Sequence, residues 1–280
     1  MKNTLSAQKN GLKLLVIPMI FSLFSCSGRT VQNEADSEAA PPAKTATQSA
    51  PEPVLPVKPA RPDGKTDEAS AEYHFSLAQA YVAEGNPDRA IEEFRAVLAY
   101  DPNSPLVYAR LATEYVKKGM MSAAMETCKE AVQRDPNYVD AHLMLAGLYS
   151  STRESTSALA EYEKVLKIDP KHEEAAVYRA QILSESGKTP EAIASLKSFL
   201  KKNPESAMAW YYVGRTEEVQ DHTKEAILDY RKAMDLRPGF SQAALALGYV
   251  YEQKQMNEKA VGVYQDLFED SQDLTAANRL

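Results

Sequence analysis

An all-α solenoid of six helix-turn-helix units is the fold that this 280-residue sequence predicts. Two residue series carry the prediction. Prolines recur at 102, 136, 170, 204 and 238, and alanines at 90, 124, 158, 192, 226 and 260, each 34 residues after the last. A fixed period of about 20–50 residues marks a chain of supersecondary units, each burying its apolar side against its neighbours. A change of composition is the third observation. Before residue 71 the chain is rich in Pro and Ala; beyond it, apolar residues fall at helical spacing, as in FSLAQAYVAEGNPDRAIEEFRAVLAYDP.

The N-terminus reads as a leader. Lys2, Lys9 and Lys13 precede an uncharged run from Leu14 to Phe24 that Pro18 interrupts. The run is too short for a membrane-spanning helix, which needs about 20 apolar residues. Basic residues followed by a short apolar stretch are the pattern of a secretory signal peptide, here 1–25. Leu23-Phe24-Ser25-Cys26 resembles the lipobox of bacterial lipoproteins. That resemblance implies cleavage before Cys26, a thioether-linked diacylglycerol on its thiol and an acylated new N-terminus. Ser27, where an Asp would retain a lipoprotein at the inner membrane, implies the outer membrane, with the protein facing the periplasm. Cys128, the other cysteine, is then left without a disulfide partner.

Residues 26–70 follow as a tether. From 27 to 70 there are seven of the sixteen prolines and no aromatic residue, a composition that cannot bury enough apolar surface to offset the entropy of ordering. Fully drawn out, this stretch reaches on the order of 130 Å.

The six units run 71–104, 105–138, 139–172, 173–206, 207–240 and 241–274, and 275–280 reads as the start of a further helix. Their pattern resembles the tetratricopeptide repeat (TPR) family. Leu77, Ala78, Tyr81, Ala90, Phe94 and Pro102 fill its slots in the first unit, and Trp210, Val213 and Gly214 in the fifth. The resemblance implies a right-handed superhelix with the first helix of each unit lining a concave groove. Small residues (Ala78, Ala112, Ala146, Ala180, Gly214 and Gly248) let the two helices of a unit approach. Tyr81, Tyr115, Tyr149 and Tyr251 fill the space between units, and the prolines end the second helices. Arg179, Glu217 and Gln272 depart from the pattern.

The family's groove positions map onto Phe75, Gln79 and Val82, then Thr113 and Val116 with Ala109, then Leu143 with Gly147 and Ser150. Gln181 follows with Val177 and Ser184, then Tyr211, Arg215 and Glu218, and lastly Leu245, Tyr249 and Glu252. The set lacks the lysine and asparagine pair with which chaperone-binding members clamp a terminal carboxylate. An apolar or amphipathic segment of another envelope protein is the expected ligand.

Catalytic and cofactor motifs do not appear. There is no Gly-rich phosphate loop, HExxH or Cys-x-x-Cys, so neither an enzyme nor a cofactor or metal site is expected. His74 and His142 take aromatic slots, where core-edge packing is expected; His172 and His222 fall in turns. With 39 acidic against 32 basic side chains the net charge is −7, which lacks the basic footprint of nucleic-acid binding.

The expected role is a membrane-anchored scaffold that assists assembly of an envelope complex. In architecture and size the chain is similar to the pilotin lipoproteins, which help type IV pilus secretins assemble in the outer membrane. Docking of a peptidoglycan enzyme is the other reading. At the C-terminal end, Val261, Tyr264, Leu267 and Phe268 lie at helical spacing with little sequence left to cover them, an edge expected to favour a homodimer.

Overall fold

The computed structural model describes residues 66–271 and 273–279; the leader, Cys26 and nearly all of the tether lie outside the described residues. Helices pair in chain order: α1 (Asp67–Ala83) with α2 (Pro87–Tyr100), and α3 (Pro105–Lys117) with α4 (Met121–Arg134). The third and fourth pairs are α5 (Val139–Ser151) with α6 (Ser155–Ile168) and α7 (Glu173–Glu185) with α8 (Thr189–Leu200). α9 (Ala207–Val219) pairs with α10 (Thr223–Leu236), α11 (Ser241–Gln253) with α12 (Asn257–Ser271), and the short α13 (Leu274–Ala277) follows. This is an all-α solenoid of six helix pairs.

Local chemistry sets the helix ends. The first helix starts before residue 71, inside the segment expected to be tether. Thr66 explains this: its side chain accepts from the Ala69 N–H at 3.2 Å, and Asp67 and Glu68 complement the helix dipole. Second helices α2, α4, α6 and α10 stop two residues before Pro102, Pro136, Pro170 and Pro238. α8 stops earlier, where buried Asn203 donates to the carbonyls of Pro170 (3.2 Å) and Phe199 (3.3 Å). Without a proline at 272, α12 is the longest of the second helices, at 15 residues.

Packing repeats along the chain in linked clusters rather than around one centre. Phe94, Cys128, Tyr162, Leu196, Tyr230 and Tyr264, spaced by 34, are all buried against the small residues of their own unit's first helix. Glu217, the replacement for a tyrosine, is buried yet paired: it accepts from Lys197 Nζ at 2.5 Å and lies 2.6 Å from His222 Nδ1. Burial pushes its carboxyl up, but Lys197 and His222 outweigh this and hold it below the usual range.

The C-terminal edge differs from expectation. Leu267 and Tyr264 are 2 % and 1 % exposed, and Phe268 is half-buried in the same cluster, which includes Ala276 of α13. Of the four residues only Val261 stays exposed. One turn of helix docks because its neighbour is already ordered, whereas the same residues alone would not form one. Of the residues on which the homodimer expectation rested, Tyr264 and Leu267 are thus buried within the chain.

Candidate protein-binding groove

First helices of successive units touch one another, α3 with α5, α7 with α9 and α9 with α11, which places them on the tighter, inner side of the solenoid. Through units one to four the mapped groove positions carry shallow, uncharged side chains. Phe75 is half-buried, its ring edge-on to Phe94 at 6.1 Å, and Val82 packs in the same cluster. Thr113 and Ser150 turn their hydroxyls back onto the carbonyls of Ala109 (3.0 Å) and Ala146 (2.7 Å). Gln79 and Gln181 are exposed, Gln181 donating to Glu185 at 2.8 Å. Val116, Leu143 and Ser184 are half-buried. Ala109 and Val177 are core residues, 5 % and 2 % exposed, and so do not line the groove.

Units five and six are different. Tyr211, Arg215, Glu218, Leu245 and Tyr249 come together around a cavity of about 570 Å³. Tyr211 and Tyr230 both line it, their rings 5.9 Å apart, and behind them the Tyr211 ring lies 5.4 Å from Phe240. The Tyr230 hydroxyl donates to Glu218 at 2.6 Å, and burial pushes that phenol up strongly, so it stays protonated. Glu252 does not line the cavity itself but pairs with Arg279, which does, at 3.0 Å from its Nη1. Tyr249 is 45 % exposed, a large apolar surface left open to solvent.

Val219, Gln242, Ala246 and Arg279 also line the cavity and were not singled out from sequence. Gln242 and Ala246 precede Leu245 and Tyr249 by three residues, a helical spacing that could have revealed them. Arg279 could not be found that way, because it arrives from beyond the last repeat.

The histidines and Cys128 make contacts within the fold. His142 is buried, with Nδ1 2.6 Å from Glu161 and Nε2 2.8 Å from the Pro136 carbonyl; His74 makes the same 2.6 Å contact with Glu93. His172 Nδ1 caps α7 by accepting from the Ala175 N–H at 3.2 Å. Burial pushes the Cys128 thiol up to about 12, which keeps it from forming the reactive thiolate. Among the described residues no group of three His, Cys, Asp or Glu could hold a metal ion, and no helix is long and apolar enough to cross a membrane.

Paired helices stacked around an open inner face define a scaffold for binding other polypeptides. The chain belongs to the tetratricopeptide repeat family: models of that repeat match residues 65–105, 75–139 and 177–239, and a further one matches 139–172. Among solved structures, a tetratricopeptide repeat protein from Parabacteroides merdae is similar over 72% of this chain and 80% of its own, at 21% identity and a TM-score of 0.59. The pilF protein of Pseudomonas aeruginosa is similar over 76% of this chain and 97% of its own, at 14% identity and a TM-score of 0.57. At these identities the likeness is one of fold. No curated protein sequence matches this chain.

Proposed function

We propose that the chain is a lipid-anchored, pilotin-like assembly factor on the periplasmic side of the bacterial outer membrane. Its groove would hold a segment of an envelope protein, such as a secretin subunit, while the complex assembles. The observation that supports the reading is the combination of Cys26, in a stretch that resembles a lipobox, with a six-unit solenoid similar in fold to nearly the whole of pilF. Residues 26–70 supply the reach between anchor and groove. One acyl chain alone gives only marginal membrane binding, at about 0.8 kcal/mol per buried CH₂, so the multiple chains of a lipoprotein are needed for firm attachment.

Crosslinking and pull-down from native membranes tests the reading. Capture of a secretin by the parent chain, and loss of assembled secretin from the outer membrane when the gene is deleted, are the expected results. Normal secretin assembly without the protein would refute it, and capture of a peptidoglycan enzyme instead would move the role to regulation of that enzyme.

A further inference from the structure

Unit five breaks a pairing that units one and three share. In those units a second-helix glutamate meets the histidine nineteen residues before it, Glu93 with His74 and Glu161 with His142, both at 2.6 Å. Lys164 also reaches Glu161, at 2.9 Å. In unit five the same two positions hold Asp229 and Trp210. The indole N–H of Trp210 donates to the Pro204 carbonyl at 2.9 Å, just as His142 Nε2 lies 2.8 Å from the Pro136 carbonyl. An indole has no second nitrogen to offer a carboxylate. Asp229 is 9 % exposed and accepts no hydrogen bond from the described residues. Lys232, at the place of Lys164, is exposed and makes no ion pair with it among those residues.

The groups facing Asp229 do not replace the lost partner. They are Lys197 from α8, Glu217 from α9 and Glu225 from α10 itself. Lys197 is already engaged with Glu217 at 2.5 Å, and His222, in the turn between α9 and α10, lies 2.6 Å from Glu217. Burial pushes the Asp229 carboxyl up to about 6; Lys197 opposes this, and Glu217 and Glu225 assist it.

We propose that the joint between units four and five is a proton-controlled hinge, closed while Asp229 holds a proton and loosened when it ionises. Lys197 and Glu217 bridge α8 to α9 at this joint, and an ionised Asp229 beside them is a buried charge without a donor. Admitting water relieves it, and the α8–α9 seam is the place, because α9 and α10 pack together more extensively. The closed form binds the proton more tightly than the open one, where Asp229 keeps its ordinary 3.8. Closure therefore weakens as pH rises from 3.8 and reaches its floor above about 6. Glu217 sets the lower limit: its contribution is present above 4.5 and is lost as pH falls through its lowered value. The hinge divides the shallow groove positions of units one to four from the cavity of units five and six. It does not depend on what the groove holds.

Hydrogen exchange of the full chain, read by mass spectrometry on peptides from α8, α9 and α10, tests the hinge. Asp229→Asn keeps the shape of the side chain and cannot ionise. Its protection in these helices, divided by the parent's at the same pH, should rise about tenfold from about pH 5 to about pH 8, with α1 to α4 unchanged. A ratio that stays constant with pH, or that rises equally in α1 to α4, overturns the proposal. If the variant does not fold, the parent decides alone. Its protection in α8 to α10, corrected for the intrinsic exchange rate, should fall about tenfold over the same interval, and a constant value overturns the proposal equally.

Discussion

Gly248 lies flat against the Tyr264 ring: a Cβ added at Gly248 would stand 2.7 Å from the Tyr264 hydroxyl oxygen and closer still to ring carbons. Gly214 stands in the same relation to Tyr230, whose ring carbons would lie 2.8 Å from the new Cβ. In both units a glycine in the first helix and a tyrosine sixteen residues later form one packing unit. Gly147, on α5, is the opposite case, because nothing lies within 4 Å of its added Cβ.

Alanine at these positions should therefore act in opposite directions. Gly248→Ala and Gly214→Ala overpack a buried contact and should each cost about 1–3 kcal/mol. Gly147→Ala should stabilise by about 0.5–1 kcal/mol, since glycine in a helix interior carries that entropic penalty. Urea unfolding of the three variants reads this directly. A loss at Gly147 similar to that at Gly248 would contradict the packing account.

Arg153 and Gln255 occupy the turn between first and second helices with φ of 62° and 58°, where Gly85, Gly119 and Gly187 stand in other units. The left-handed region costs an L side chain about 1–2 kcal/mol, part of which glycine returns as chain entropy. Arg153→Gly and Gln255→Gly should each raise stability by about 0.5–1 kcal/mol. A lower melting temperature in both would show that the side chains make compensating contacts.

The His142–Glu161 pair should make stability depend on pH. The hydrogen bond to Glu161 raises the His142 pKa above its ordinary 6.5; burial opposes this and the Pro136 carbonyl assists. Burial pushes the Glu161 carboxyl up, but His142 and Lys164 outweigh it and hold it below the ordinary 4.5. The histidine's contribution is full below 6.5 and is lost as pH rises through its raised value. The glutamate's is present above 4.5 and is lost as pH falls through its lowered value. His142→Gln should therefore lower the melting temperature most between these two ordinary values. A difference from the parent that does not vary with pH would mean the pair is not charged.

Partner capture should depend on the two groove tyrosines. Tyr211→Ala with Tyr249→Ala should weaken it by about tenfold, about 1.4 kcal/mol, because aromatic and Arg side chains dominate most interfaces. Helicity should be retained. Unchanged capture, abolished instead by substitutions on the second-helix surface, would move the site to the outer face.

If Cys26 carries the proposed anchor, Cys26→Ala should release the protein from membranes or leave its precursor uncleaved, since the three acyl chains of a lipoprotein hold what a single chain holds only marginally. Fractionation with fatty-acid analogue labelling measures it. Identical fractionation of variant and parent, with neither labelled, would remove the anchor.

The 34-residue period by itself determined the units, the helix pairs and the small-against-large packing of Ala78 with Phe94 or Ala146 with Tyr162. It could do so because each unit meets only its neighbours, so a contact made once is made at every copy. The groove positions came from the resemblance to the repeat family, and of these Tyr211, Arg215, Leu245 and Tyr249 line one cavity. What departs from the repeat was decided by tertiary structure alone. Lys197 in α8 reaches the buried Glu217 in α9 across a unit boundary, Val177 turns into the core, and Ala276 of α13 joins the last cluster while Arg279 beyond it lines the cavity. Periodicity is silent on such contacts, because each occurs at one place only and depends on side chains and a terminal segment whose positions the neighbouring units set.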